Sequence, residues 1–157
     1  MCWECDNPDK TSADYLEVLR ETIKKYGWAV QFIEDDRRPF AYTVGLYERR
    51  LPELLVTGFE PHMSVGLLNA IGGDMVHDNV RLQPGERLTH DGHDLLEVVG
   101  VEHPDVHLKY AIGMYGRAVT ALQLVWIDDA GRWPWDRGPN RGSRIQPVLG
   151  VRGTKTR

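Results

Sequence analysis

Two residue pairs in the chain have the chemistry of metal ligands. His103 and His107 lie four positions apart in the stretch HPDVH, and Cys2 and Cys5 form a C-x-x-C motif. A step of four places two side chains on one face of a helix, and Pro104 suits the first helical position. C-x-x-C spacing lets two thiolates take adjacent corners of a tetrahedral zinc site. The four ligands Cys2, Cys5, His103 and His107 would complete a closed Cys2His2 set, which is typical of structural zinc.

Each pair also has a simpler interpretation. Cys2 and Cys5 could be incidental thiols, a redox pair, or, for Cys2, a nucleophile activated by its own amine. His103 could cap the helix while His107 packs against the sheet. A site with water in place of one histidine would be open and would support metal-assisted hydrolysis.

A second histidine pair flanks a predicted hairpin turn. Asp91-Gly92 is a strong hairpin signal, and it would place His90 and His93 opposite each other across two strands. Such neighbours could share a metal ion. Polar residues are also expected at an exposed turn for solubility alone, and this interpretation is favoured.

Aromatic side chains form the last candidate site. Trp28, Tyr42, Trp133 and Trp135 could line a groove for a flat cofactor such as a flavin, together with Phe40 and Trp126. Proline lacks a ladder donor, so Trp-Pro-Trp is not expected in a central strand. The same residues could instead fill the core, which is their more frequent role.

The elements that must position these residues follow from local patterns. Thr11 and Asp14 resemble a capping pair, and apolar residues then recur at helical spacing until Gly27, which predicts a helix over residues 12–26. Other expected elements are strands at 27–33, 40–46, 53–59 and 119–127, a helix at 61–76, two strands within 87–101, and a helix starting near His103.

Composition limits the broad class of protein. The 157 residues, 41% hydrophobic and 27% charged, indicate one domain, flanked by an N-terminal cysteine segment at 1–11 and an extended Gly/Pro/Arg-rich arm at 137–157. A formal net charge of −4 argues against broad nucleic-acid binding, and no apolar run is long enough for a membrane span. Two cysteines favour a reducing, cytoplasmic location. A homo-oligomer is compatible with the sequence.

Signatures of common enzymes are missing from the sequence. There is no G-x-G-x-x-G after a strand, no phosphate-binding P-loop, no G-x-S-x-G and no H-E-x-x-H. Glu97 and Glu102 lie in and just after a predicted strand, where we expect them to be solvated.

Several longer motifs follow one another along the chain in an order that is specific to one family. The sequence of motifs resembles the bacterial family of domains of unknown function DUF4262, and the resemblance covers almost the whole chain. The resemblance implies a small stand-alone cytosolic protein and brings no established activity. The motifs are MCWEC, GWAVQFIEDDRRPFAYTVGL, PELLVTGF, VEHPDVHL, ALQLVWIDDAGRWPWD and QPVLG.

We therefore expect an α+β domain with an antiparallel sheet of five or six strands, which could curl into a half-barrel, and about three helices. The element order is similar to that of flavin-binding split barrels, although element order does not fix function. Zinc binding is the leading functional hypothesis, followed by a flavin- or other flat-cofactor-binding oxidoreductase. A non-catalytic interaction module that presents Trp133, Trp135 and the arginine-rich tail is the third.

Overall fold

A computed structural model describes residues 11–34, 38–90, 94–137 and 146–153 of the chain. In this part of the chain, four α-helices accompany six strands. The helices are α1 (Ser12–Tyr26), α2 (Pro61–His77), α3 (Pro104–His107) and α4 (Lys109–Tyr115), with short 3-10 helices at Leu46–Arg49 and Pro134–Arg137. The strands are β1 (Ala29–Ile33), β2 (Phe40–Val44), β3 (Glu53–Thr57), β4 (Arg87–His90), β5 (Asp94–Gly100) and β6 (Ala121–Trp126).

Helix α1 begins and ends where its capping residues predict. The Thr11 hydroxyl accepts a hydrogen bond from the Asp14 backbone N–H, and the Asp14 carboxylate accepts one from the Thr11 N–H. Gly27 ends the helix with a positive φ of 99°, and its N–H donates to the carbonyl of Ile23. The sequence prediction for this helix is confirmed.

The sheet is mixed, in the order β1-β2-β3-β6-β5-β4. Strands β3 and β6 pair in parallel, with Glu53 opposite Ala121, and every other neighbouring pair is antiparallel. The predicted α+β class and single domain are confirmed, but the expectation of an antiparallel sheet is corrected at this junction. β6 enters between β3 and β5 after a long excursion through α2, the β4–β5 hairpin, α3 and α4. The sheet is open, with β1 and β4 at opposite edges, so it does not close into a barrel.

Helices cover both faces of the sheet. On one face α2 packs its buried side chains, among them Leu68 and Met75, against Leu54, Val56 and Leu124. On the other face α1 and α4 pack against β1, β2 and β3, with Leu19 and Ala111 beside Val44 and Leu55. Burial on both faces explains the continuous apolar run of residues 54–56 in the middle of β3.

The described part of the predicted C-terminal arm is bound to the sheet. The carbonyl of Pro147 accepts hydrogen bonds from the Thr57 hydroxyl at 2.7 Å and from Gln123 Nε2 at 2.8 Å. The N–H of Leu149 donates to Gln123 Oε1 at 2.7 Å, and the Leu149 carbonyl accepts from the N–H of Glu102. Residues 146–153 therefore satisfy polar groups of the central strands. The rest of the predicted arm, at 138–145 and 154–157, lies outside the described residues.

Within the described residues, no helix has both the length and the apolar character needed to cross a bilayer.

Candidate functional site

A cavity of about 560 Å³ opens between α1, the α3–α4 segment and the facing ends of β1 and β2. We call it the α1–α4 cavity. Ser12 and Lys109 contribute polar atoms to its wall, and Gly113 of α4 faces Leu16 of α1. Most of the remaining wall is apolar or aromatic, and it includes Leu16, Ile33, Phe40, Tyr42, His107 and Tyr110.

Tyr42 forms a buried part of this wall. Its side chain is fully buried, its ring stacks on Phe40 with 6.1 Å between centroids, and its hydroxyl accepts a hydrogen bond from the Tyr110 N–H at 3.1 Å. Burial raises the pKa of Tyr42 far above its ordinary value. The hydroxyl therefore keeps its proton at neutral pH and can donate it as a hydrogen bond.

His107 lies at the end of α3 and contributes the imidazole of the cavity wall. Burial lowers its pKa, and the neighbouring His103 lowers it further, while Asp105 acts in the opposite direction. His107 is therefore neutral at physiological pH, and a neutral imidazole can accept a hydrogen bond or bind a metal ion.

The predicted start of α3 is confirmed, although His103 does not cap it. Pro104 occupies the first turn, and His103 precedes it with a left-handed φ of 56° and no hydrogen bond from its side chain to the helix end. Among the described residues, His107 lines the α1–α4 cavity and His103 does not.

The predicted metal ligands are only partly within the described chain. Cys2 and Cys5 lie outside the described residues, and so does His93. Among the residues that are described, no three or more His, Cys, Asp or Glu side chains are grouped so that they could hold a metal ion. His90 pairs with Asp94 across the β4–β5 hairpin, so its cross-strand partner is not His93 as expected. β4 ends at His90 and β5 begins at Asp94, so three residues separate the two strands instead of the two that a turn at Asp91-Gly92 predicts.

The four predicted cofactor-binding aromatics do not form one groove. Trp28 packs with α2, where its ring lies against Gly72 and its Nε1 donates to Asn69 Oδ1 at 3.0 Å. Tyr42 lies in the α1–α4 cavity on the other face. Trp133 and Trp135 lie elsewhere again, in a cluster with β5, β6 and the C-terminal arm.

The rings of Trp133 and Trp135 are already in contact with other groups. They stack on each other with 5.3 Å between centroids and 9° between planes. The guanidinium of Arg87 lies 4.7 Å from the Trp133 ring centroid, and the guanidinium of Arg152 lies 4.0 Å from the Trp135 ring centroid. A flat ligand would have to displace one of these groups to reach an indole face. Trp133 is also only 7% exposed, so it offers little surface to a partner protein.

Glu97 is the most informative residue that the sequence interpretation missed. We expected it to be solvated, yet it is 3% exposed and binds Arg152 and Arg87. The alternation in β5 places Leu96 and Val98 on one face and Glu97 and Val99 on the other, and both faces are covered. The available signal in the sequence was Val99, an apolar residue on the same face of β5 as Glu97, which indicates that this face is covered as well.

Glu53 is a second buried carboxylate that the sequence did not reveal. It accepts hydrogen bonds from the Thr43 hydroxyl at 2.8 Å and from the N–H groups of Gly45, Leu46 and Tyr47 at 3.0 to 3.1 Å. These three N–H groups lie at the start of the 3-10 helix, where a negative charge is favoured. Burial nevertheless raises the pKa of Glu53 to about 7. Glu53 therefore fixes the connection between β2 and β3.

Comparison with known proteins identifies the family but not an activity. No curated protein and no solved structure matches this chain. The family model of a domain of unknown function, DUF4262, matches residues 22–140. That range covers about three quarters of the sequence and includes α2, α3, α4, all six strands and the C-terminal part of α1. The chain therefore belongs to the DUF4262 family.

Proposed function

We propose that this protein binds a flat, largely apolar small molecule in the α1–α4 cavity. The observation that carries the proposal is the cavity itself, about 560 Å³ in volume and walled mainly by apolar and aromatic side chains. Small-molecule sites in proteins are usually concave and mostly apolar, with volumes of about 300–1,000 Å³ and a few polar groups that fix orientation.

The polar groups in the wall suggest how the ligand is oriented. The neutral His107 imidazole is a hydrogen-bond acceptor, and Lys109 supplies a positive charge. A flat molecule with one polar edge matches this set. A flavin has this character and is the cofactor that we propose for the site.

Filling the cavity should abolish binding. Gly113→Leu places a side chain in the cavity, because a Cβ at Gly113 meets Leu16 at an ordinary 3.7 Å and causes no overlap. Gly73→Leu is the matched control, since Gly73 lies on α2 with nothing closer to its Cβ than His77 at 4.0 Å. The probes are anilinonaphthalene sulfonate and flavin mononucleotide, each titrated by fluorescence.

We expect the wild type and Gly73→Leu to bind at least one probe saturably, and Gly113→Leu to lose affinity by about tenfold or more. Near-ultraviolet circular dichroism checks that both variants keep native packing. Equal saturable binding by all three proteins, or no saturable binding of either probe to the wild type, would contradict the proposal.

We propose, as a second function, a zinc site formed by Cys2, Cys5, His103 and His107. Its specific support is that Ser12, in the first turn of α1, lines the same cavity as His107. Cys5 precedes Ser12 by seven residues, which can span at most about 24 Å when extended. The lowered pKa of His107 also favours the neutral form that binds metal. Zinc thiolates require reduced cysteines, which agrees with the cytoplasmic location that we propose.

Elemental analysis of protein purified without tags or chelators tests this second proposal. We expect about one zinc per chain, and Cys5→Ser and His107→Ala should each lower both the zinc content and the melting temperature. His62→Ala, at an exposed position on α2, is the control. Wild-type protein that is metal-free and whose melting temperature is unaffected by a chelator would exclude the zinc site.

A further inference from the structure

A second concave surface lies at the opposite end of α1 from the α1–α4 cavity. It has a volume of about 760 Å³ and is formed by the last turns of α1 and the 3-10 helix Leu46–Arg49. We call it the basic cleft, because four of its lining residues are cations: Arg20, Lys24, Lys25 and Arg49.

Two carboxylates offset part of this positive charge. Glu17 pairs with Arg20 at 2.8 Å, and the Glu48 carboxylate in the cleft wall accepts a hydrogen bond from the Tyr115 hydroxyl. Among the described residues, Lys24 and Arg49 form no ion pair or side-chain hydrogen bond. The cleft therefore keeps a net positive charge in a chain whose formal net charge is −4.

Stability of α1 explains only part of this arrangement. Lys24 and Lys25 lie in its last turn, where cations interact favourably with the helix dipole. Arg49 comes from a different element, and its Nη2 lies 3.4 Å from where a Cβ of Gly27 would be. Its guanidinium lines the cleft and makes no hydrogen bond to another described residue, and a guanidinium is suited to bidentate bonds with phosphate oxygens.

An aromatic ring lies at the edge of the same cleft. Tyr26 is 65% exposed, and Lys25 Nζ lies 5.2 Å from its ring centroid. An exposed tyrosine beside a group of cations can stack on the ring of a ligand whose phosphates bind those cations.

We propose that the basic cleft binds a phosphate-bearing small molecule, of which a nucleoside polyphosphate uses both the cations and Tyr26. The volume lies within the range of small-molecule sites. Four cations are few for a nucleic-acid groove on an acidic protein, so the small molecule is the better match. This site is separate from the α1–α4 cavity and does not depend on the function proposed there.

Calorimetric titration with inorganic triphosphate and with adenosine triphosphate, at low ionic strength and without magnesium, tests the proposal. Arg49→Ala and Lys24→Ala should each weaken binding of both probes by about tenfold, because each removes a charge-assisted contact. Tyr26→Ala should weaken binding of the nucleotide and leave that of triphosphate unchanged. Arg117→Ala, which removes an exposed cation outside the cleft, is the matched control.

Added salt should weaken binding of both probes, since the contacts are ionic. Three results would overturn the proposal. They are no saturable binding of either probe to the wild type, equal loss of affinity in Arg117→Ala and Arg49→Ala, and binding of an oligonucleotide without binding of either small probe. The substituted side chains lie at the surface, and unchanged melting temperatures would confirm that the variants are folded.

Discussion

The guanidinium of Arg152 donates two hydrogen bonds to the carboxylate of Glu97, at 2.8 Å and 3.0 Å. Arg87 adds a third, from its Nε at 3.1 Å. The Glu97 side chain is 4% exposed, so its charge depends on these partners. Arg152 also covers the Trp135 ring. One residue near the end of the chain therefore both neutralises a buried carboxylate and packs on an indole.

Arg152→Ala should destabilise the protein. It removes two charge-assisted hydrogen bonds, but Arg87 remains and about half of the Arg152 side chain is exposed to screening solvent. We therefore expect a loss of about 1–2 kcal/mol in the free energy of unfolding, measured with urea. Arg117→Ala is the control. If both variants are equally stable, Arg152 does not hold the arm.

Gly150→Ala should release the same segment by a different route. A Cβ at Gly150 would lie 1.9 Å from the carbonyl oxygen of Gly100, which forces the backbones apart. Residues 146–153 act as one segment, so the double variant with Arg152→Ala should lose less stability than the sum of the two single losses. Urea denaturation of all four proteins measures this coupling. Strict additivity would show that the two contacts break independently.

Glu53→Gln should change how stability depends on pH. The pKa of Glu53 is about 7 in the folded protein and should be near 4.5 when the chain is unfolded. The folded state therefore binds a proton more tightly, and the associated stability is present below pH 4.5 and is lost as the pH rises to 7. The loss is on the order of 3 kcal/mol. Glutamine cannot titrate, so the variant should lack this component.

The cost of Glu53→Gln should consequently be larger at pH 4.5 than at pH 8. At low pH we expect the variant to lose about 1–2 kcal/mol in the free energy of unfolding, because the amide N–H₂ can bond to Thr43 but faces the Leu46 N–H.

Glu97 titrates in the opposite sense. Burial would raise its pKa, but the hydrogen bonds from Arg152 and Arg87 outweigh burial and leave the pKa below its ordinary value. Its stabilisation is lost below about pH 4.5 in both proteins, so the difference between them isolates Glu53. With Glu102→Gln as control, an equal cost at both pH values would refute the assignment.

Local signals in the sequence predicted the local elements well. Thr11, Asp14 and Gly27 fix the ends of α1, and Pro104 marks the start of α3. The parallel pairing of β3 with β6 could not be predicted, because an apolar strand such as residues 121–126 has no local feature that specifies its neighbour. The buried state of Glu97 was missed for a similar reason, since its partner Arg152 lies 55 residues away.

The candidate site was predicted in fragments. Tyr42 was assigned to an aromatic groove and His107 to a metal site, and both line one cavity. Their proximity depends on how α3 and α4 pack over β2, which local periodicity does not encode. Trp28, Trp133 and Trp135 are aromatic like Tyr42, so composition suggested one shared site. They lie on different elements, and the packing of the fold places them in separate clusters.

The hydrogen bonds that residues 146–149 make to the central strands determine when the protein can complete its folding during synthesis on the ribosome. Thr57, Gln123 and the backbone of Trp126 are translated before Gln146, Pro147 and Leu149, which satisfy them. A nascent chain that ends before residue 146 carries these polar groups without their partners and leaves the surface around Val99 and Val125 uncovered. Native packing is completed only after residues 146–149 emerge from the ribosome, and a premature stop codon before them would yield a product open to aggregation and proteolysis.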